Sequence, residues 1–554
     1  MKIIIPMSGF GERFRKAGYK VPKPLIEIEG IHMIGHVINL FPSDSDFIFI
    51  CNKDHLNNKS YKMKKIIKKY CLNPKIIGIK PHKLGPVHAV LQIEDQIKLK
   101  EEVIINYCDF SCNWDWNYFK KFLIKTKCDG AIPAYKGFHP HSLGNTNYAY
   151  MKEANGWMID IQEKKPFTEN RMNEYASSGT YYFASGKLLL ISLKAIVEQN
   201  FSINGEFYVS LAYKELIKRN KKIAVYPLQH FFQWGTPEDL DEYNHWSRIF
   251  KLITEKKYKN LSITNKGSLI LPMAGLGKRF SDEGYKETKP LINVSGKPMI
   301  MKALDDLPSS SQKVFIMRKD MEGYQKISKI IKDIYPESNI KYISKVTSGQ
   351  ASTAFLGIDL IDFKKDYSPI TIGACDNGAL YDEHKFREFI KSKKPEIIVW
   401  GAKNHINAKR NPNMFGWIKA DENGLIENIS VKKAIENNLE YPIVIGTFTF
   451  LKEKFFRESI ESLFKRKGLI NGEFYIDSAI NDAINLGFKC YFYEVDAFIS
   501  WGTPNELKTF EYMQSALHNC EFHKYELNND PNIPMDNLDY LKKKYKKINP
   551  KLIS

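Results

Sequence analysis

The chain states one long phrase twice. "IIIPMSGFGERFRKAGYKVPKPLIEIEG" opens it, and "LILPMAGLGKRFSDEGYKETKPLINVSG" returns 266 residues later, so that Gly9, Gly11, Arg13 and Lys23 recur in register as Gly275, Gly277, Arg279 and Lys289. A repeat this long is far above the period of solenoids, and 554 residues exceed what one hydrophobic core ordinarily organises. Two similar folding units follow: 1–250 and 268–516. The polar, lysine-rich 251–267 reads as the linker between them, and 517–554 as a basic C-terminal tail.

Each unit begins with a nearly all-apolar run, Ile3–Met7 or Leu269–Met273, of the kind that forms a central parallel strand. Further apolar runs at 47–51, 103–108 and 313–317 alternate with helix-like stretches. Strands alternating with helices predict an α/β three-layer domain with a mostly parallel sheet. No run of about 18 apolar residues is present, so no transmembrane helix is expected, and "MKIIIP" is too short for a signal-peptide core. A cytoplasmic protein is the expectation.

Eight cysteines stand without a C-x-x-C pair or a His/Cys ligand spacing, which argues against both a zinc site and a disulfide scaffold. Cys108 and Cys375 each precede an aspartate in matching places, and are read as small buried residues rather than reactive thiols. The net charge of +19 would suit nucleic acid, membrane or anionic substrates. Its lysines are dispersed rather than clustered, so a phosphate-rich small substrate is the expected partner and nucleic acid is not.

Glycines after a buried strand let backbone approach a phosphate where a Cβ would block it. A Gly-x-Gly alone also marks simple tight turns. The third glycine of a dinucleotide fingerprint is missing, and no Gly-Lys-Ser/Thr closes a P-loop. The cations lift the motif above a turn: an arginine two residues past the second glycine and a lysine ten residues further, beside a proline, in both copies. A guanidinium and an ammonium set against phosphate oxygens neutralise charge that builds during phosphoryl transfer.

G-x-G-x-R followed by K-P-L-I resembles the signature of the nucleotidyltransferase (nucleoside-diphosphate-sugar pyrophosphorylase) superfamily, and its wording is most similar to the branch associated with bacterial capsule and surface polysaccharides. The resemblance implies two tandem GT-A-like (Rossmann-like) α/β/α domains. Arg13, Lys23, Arg279 and Lys289 would then be catalytic, with Gly9, Gly11, Gly275 and Gly277 lining the nucleotide. Asp109 and Asp376, at the ends of apolar runs, would hold Mg²⁺. "KLGPVHAV" and "TSGQASTA" fall where the family reads the base, which marks Gly85, Gly349 and Gln350. "QEKKP" supplies Glu163 and Lys164 for the acceptor, whereas "SVKKA" keeps Lys432 and has Val431 in place of the acid. Glu206 and Glu473, in the repeated Gly-Glu-Phe, line the sugar pocket or sit in a surface turn. The family's second metal aspartate is Gln233 in one copy and Ser500 in the other, with Asp496 a substitute in the second.

The reaction implied is transfer of a nucleotidyl group from a triphosphate, with a pyrimidine favoured, to a sugar or polyol phosphate, releasing pyrophosphate. Two working sites are expected from the repetition. The alternatives are a GT-A glycosyltransferase, which would normally show a D-x-D-like pair absent from "YCDFS" and "ACDNG", or one active domain beside a regulatory one.

Overall fold

The computed structural model describes residues 1–42, 46–145, 147–255, 267–363 and 369–550, and the chain separates into two units. The first comprises Met1–Trp246 with Ser515–Lys524 and the chain from Tyr545 onward; the second comprises Ser247–Gln514 with Tyr525–Lys544. The tail expected as one appendage is thus divided between the units. Its apolar residues explain this: Tyr525, Leu527, Ile533, Leu541 and Tyr545 are all buried. In the first unit the Phe522 ring packs 4.3 Å from His36. In the second, the Tyr525 hydroxyl donates to Asp530 at 2.8 Å and accepts from Gln514 at 2.9 Å. The helix Pro237–Ile253 carries the chain past residue 250, and 256–266 of the expected linker lie outside the described residues.

Both units are built around one sheet plan. In the first, Lys75–Ile79, Phe47–Asn52, Lys2–Met7 and Val103–Asn106 lie side by side and parallel. Thr180–Phe183 then runs antiparallel between Val103–Asn106 and Gly130–Tyr135. Ile223–Leu228 follows, parallel to Gly130–Tyr135, and the hairpin Ala149–Ala154/Trp157–Glu163 extends that side. The second unit repeats the parallel wing with Asn339–Ile343, Gln312–Arg318, Ser268–Met273 and Ile370–Ile372. Its antiparallel strand is Ile443–Phe450, and its hairpin is Gly416–Ala420/Ile426–Val431. Each sheet is mostly parallel, as expected, with one reversed strand inside it and an antiparallel hairpin beyond. The reversed strand interrupts the order only locally: Gly130–Tyr135 and Ile223–Leu228 beyond it run in the same direction as the glycine-loop wing.

Period-two alternation places the layers. Ile3, Ile5 and Met7 face a core shared with helices Met33–Asn39, Met63–Tyr70 and Trp116–Thr126. Ile4 faces the opposite core, with helices Pro86–Leu91 and Gly186–Glu198. Leu269 and Leu271 against Ile270 repeat the division in the second unit. Each sheet is covered on both faces. No helix among the described residues is long and apolar enough to cross a membrane.

Candidate functional site

The strand Lys2–Met7 delivers its carboxyl end to the glycine loop. Gly11 has φ +63 and starts the short helix Glu12–Lys16, a left-handed conformation that disfavours any side chain; Gly277 repeats it at φ +64. Gly9 and Gly275 are different. Neither has a positive φ, and a Cβ added at either would meet no atom within 4 Å. Nothing in the chain itself requires glycine at either position.

Lys23 opens a tight turn anchored by the buried Pro24 and Leu25, and its ammonium donates to Asp109 Oδ2 at 2.7 Å. Burial works against this charge, but Asp109 beside it prevails and raises the lysine pKa. Lys289 does the same: anchored by Pro290 and Leu291, it pairs with Asp376, donates to the Gly502 carbonyl at 3.1 Å, and has its pKa raised by Asp376 despite burial. Both aspartates follow the carboxyl end of a central strand and accept, through their own carbonyls, the backbone N–H of Trp234 (3.0 Å) or Trp501 (2.9 Å). The preceding cysteines are inert. Burial pushes the thiols of Cys108 and Cys375 up to about 12.

The opposite wall comes from the antiparallel side. Glu163 is buried and accepts a 2.6 Å hydrogen bond from Ser210 Oγ. Lys164, at φ +58, donates to the Tyr208 hydroxyl at 2.5 Å, and that hydroxyl donates to Glu206. A cavity of about 500 Å³ brings all nine expected first-half residues together, from Gly9, Gly11, Arg13 and Lys23 to Gly85, Asp109, Glu163, Lys164 and Glu206. Gln233 lines it too. In the second half, Lys432 has φ +59 and donates to the Met414 carbonyl at 2.5 Å. Burial lowers its pKa, Arg279 lowers it further, and Asp477 and Glu473 oppose the shift.

Gly85 and Gly349 tie the two walls. Phe207 N–H donates to the Leu84 carbonyl at 3.0 Å, and Val87 N–H to the Phe207 carbonyl at 3.3 Å. Phe474 N–H to Ser348 (2.7 Å) and Ala351 N–H to Phe474 (3.0 Å) are the counterparts, with Gln350 opening the helix that follows Gly349. The Gly-Glu-Phe segments are therefore bound to the Gly85 and Gly349 loops rather than being independent surface turns.

The expected substitute acid, Asp496, is misplaced. Ala497–Ser500 pairs antiparallel with Asn377–Leu380, Ser500 opposite Asn377 and Ala497 opposite Leu380. Four residues of strand, about 13 Å, separate Asp496 from the Asp376 end. Sequence reasoning missed the acid that is near. A Cβ at Gly502 would lie 3.1 Å from Asp376 Oδ2, 3.5 Å from Glu506 Oε2 and 3.5 Å from Ser500 Oγ. Glu506 stands three residues beyond the Gly-Thr-Pro threonine, whose hydroxyl it accepts at 3.0 Å; the sequence signal was only a helix-capping pattern. In the first half the same probe at Gly235 finds Asp109 Oδ2 at 3.2 Å and the Gln233 amide at 2.6 Å. The carboxylates of Asp109, Asp376 and Glu506 are hard oxygen donors, the chemistry that Mg²⁺ takes, whereas the Gln233 atom facing Gly235 is the amide nitrogen.

Glu163 gives the site a pH signature. Burial raises its carboxyl from 4.5 to about 7, against the Ser210 hydrogen bond and Lys164, with Glu206 adding to the rise. The folded state then holds this proton more tightly than the unfolded state, so stability falls as pH climbs from about 4.5 to about 7 and levels off above. Glu163→Gln is expected to match the native melting temperature near pH 4.5 and exceed it near pH 8. A gap independent of pH in thermal melts would contradict this assignment.

A family model described as nucleotidyl transferase matches residues 2–221 and 268–474. Among curated proteins, the bifunctional protein GlmU of Methanocaldococcus jannaschii is 28% identical over 273 residues, 49% of this chain and 60% of that protein. GlmU of Chelativorans sp. is 25% identical over 213 residues, 37% of this chain and 43% of that protein. The chain thus spans less than two thirds of the length of these relatives. Among solved structures, a nucleoside-diphosphate-sugar pyrophosphorylase from Vibrio cholerae is 21% identical with a TM-score of 0.36, covering 43% of this chain and 97% of that one. The inositol-1-phosphate CTP transferase from T. maritima is 16% identical with a TM-score of 0.34, covering 44% and 94%.

Proposed function

We propose a reaction for each half of a chain that belongs to the nucleotidyl transferase family through residues 2–221 and 268–474. An oxygen of a sugar or polyol phosphate attacks the α-phosphorus of a nucleoside triphosphate in line. The new phosphorus–oxygen bond forms as the bond to the bridging β-oxygen breaks, and pyrophosphate leaves. The attacking phosphate is already anionic at neutral pH, so no general base is needed. Catalysis is positioning and charge neutralisation.

In this reading Gly9 and Gly275 admit the triphosphate, while Arg13 with Lys23, and Arg279 with Lys289, offset its charge. Lys164 and Lys432 hold the acceptor phosphate, and Glu163 takes a sugar hydroxyl. Asp109 in the first half, and Asp376 with Glu506 in the second, supply oxygen donors for Mg²⁺, which when bound offsets charge on the phosphate oxygens. The observation that carries the reading is the duplicated meeting of lysine ammonium and strand-end carboxylate beside a glycine that the chain does not itself require. The loop wording supports a role in making activated precursors of a surface polysaccharide.

The test is pyrophosphate release from CTP, UTP, TTP, ATP and GTP against a panel of sugar 1-phosphates and polyol phosphates with Mg²⁺. Release that requires both substrates, with a pyrimidine triphosphate best, is expected. No release in any combination, or sugar transfer from a nucleotide sugar instead, overturns it.

A further inference from the structure

Strand register aligns the two halves residue by residue. Ala149 lies opposite Glu163 across the first hairpin, and Gly416 opposite Val431 across the second. The repeated Gly-Glu-Phe brings Ser210 into line with Asp477. Three positions that touch one another therefore change together: Ala149, Glu163 and Ser210 in the first half become Gly416, Val431 and Asp477 in the second. In the first, the serine hydroxyl donates to the glutamate. In the second, a Cβ at Gly416 would lie 2.3 Å from Asp477 Oδ2. The aspartate occupies the space that the alanine methyl takes in the other half, and an alanine at 416 would evict it.

From this exchange we infer that Asp477 is the acceptor-binding carboxylate of the second half, moved from the hairpin strand to the start of the helix Ile476–Asn485. The carboxylate absent at Val431 is supplied instead from position 477. Asp477 is half-buried and acts on the Lys432 ammonium together with Arg279 and Glu473; it also acts on Tyr475, which stacks under Lys432 with the ammonium 5.4 Å from the ring centre. An acid in the first turn of a helix is favourable by itself, but that role demands neither a glycine at 416 nor the loss of the acid at 431. A carboxylate in this place accepts a hydrogen bond from a hydroxyl, so the second acceptor is a hydroxylated phosphomonoester. Because the carboxylate arrives from a different element, it selects a different hydroxyl from the one Glu163 takes, and the two halves discriminate between acceptors.

This inference rests on the nucleotidyl-transfer reading, and its test separates the two. The full chain carrying Asp109→Ala and Lys164→Ala, which remove the strand-end acid and the acceptor-phosphate lysine of the first half, is assayed for pyrophosphate release and for calorimetric binding of glucose 1-phosphate and ribitol 5-phosphate. Adding Asp477→Asn is expected to raise the acceptor KM at least tenfold and weaken acceptor binding equally, with the triphosphate KM unchanged. The triple exchange Gly416→Ala, Val431→Glu, Asp477→Ser is expected to restore acceptor binding to within about threefold and shift the preference between the two probes towards that of the first half. Turnover and binding indifferent to Asp477→Asn overturn the inference and leave the reaction standing. Probe binding that depends on Asp477 without any pyrophosphate release overturns the second half as a catalyst and leaves the inference standing. Binding of neither probe overturns the inference, and equal rises in both KM values make Asp477 a structural residue only.

Discussion

Alanine at Asp109 is expected to lower one pyrophosphate-releasing activity by about 10³-fold and leave a second activity within about twofold of the native chain. Alanine at Asp376 should do the converse. The size follows from where each carboxylate sits: it is the strand-end acid paired with Lys23 or Lys289, and losing one preorganised electrostatic element ordinarily costs 10²–10³ in rate. Removing it also strands a largely buried ammonium, a cost of about 1–3 kcal/mol. Asp109→Asn and Asp376→Asn serve as controls, because they keep an acceptor for the lysine while removing the charge. The halves should differ in degree. Glu506 stands beside Asp376, whereas the matching acid of the first half is the shorter Asp239, bound by the Thr236 hydroxyl at 2.9 Å, so the Asp376→Ala loss should be the smaller, about 10²-fold. The measurement is pyrophosphate release for every active substrate pair with each single variant. If one variant behaves as the native chain on all pairs, only one half is a catalyst.

A second large effect is expected from glycines that fail in opposite ways. Gly349 has φ +111, and a Cβ there would lie 2.7 Å from both the backbone nitrogen and oxygen of Phe474. Neither backbone atom can yield without breaking the paired hydrogen bonds to Ser348 and Ala351. Gly349→Ala is therefore expected to cost about 2–4 kcal/mol and to release the Glu473 segment from the nucleotide-side loop. Gly275→Ala meets open space and keeps a permitted φ. Its melting temperature should stay within about 1 °C of native, while the KM for triphosphate rises at least tenfold. Calorimetry read beside triphosphate KM distinguishes them. An alanine at 275 that is silent in both would remove the argument that a ligand keeps that position bare.

Much of the site was legible because its parts are local. Gly9, Gly11, Arg13 and Lys23 lie within fifteen residues, and the strand before them and the buried Pro24–Leu25 turn after them fix their relative places. What escaped depended on residues brought from afar. Glu506 reads in sequence as a helix cap and becomes a pocket acid only because Trp501 N–H is bound to the Asp376 carbonyl. Asp496 reads as a neighbour of the same site, yet the strand it precedes runs away from it. The tail reads in sequence as a basic C-terminal extension, since its buried aromatic residues are spaced too widely to form a periodic pattern.

The repeat by itself determined that there are two alike units, that each opens on a buried strand and glycine loop, and that cations follow at set distances. Those properties are carried by short-range order along the chain, which does not need the rest of the fold to be read. Only the tertiary structure decided where the reversed strand sits in each sheet, that Glu506 stands beside Asp376, and that Asp477 fills the space beside Gly416. Those depend on strand direction and on side-chain volumes meeting across elements, and packing of that kind leaves no trace in the spacing of one chain.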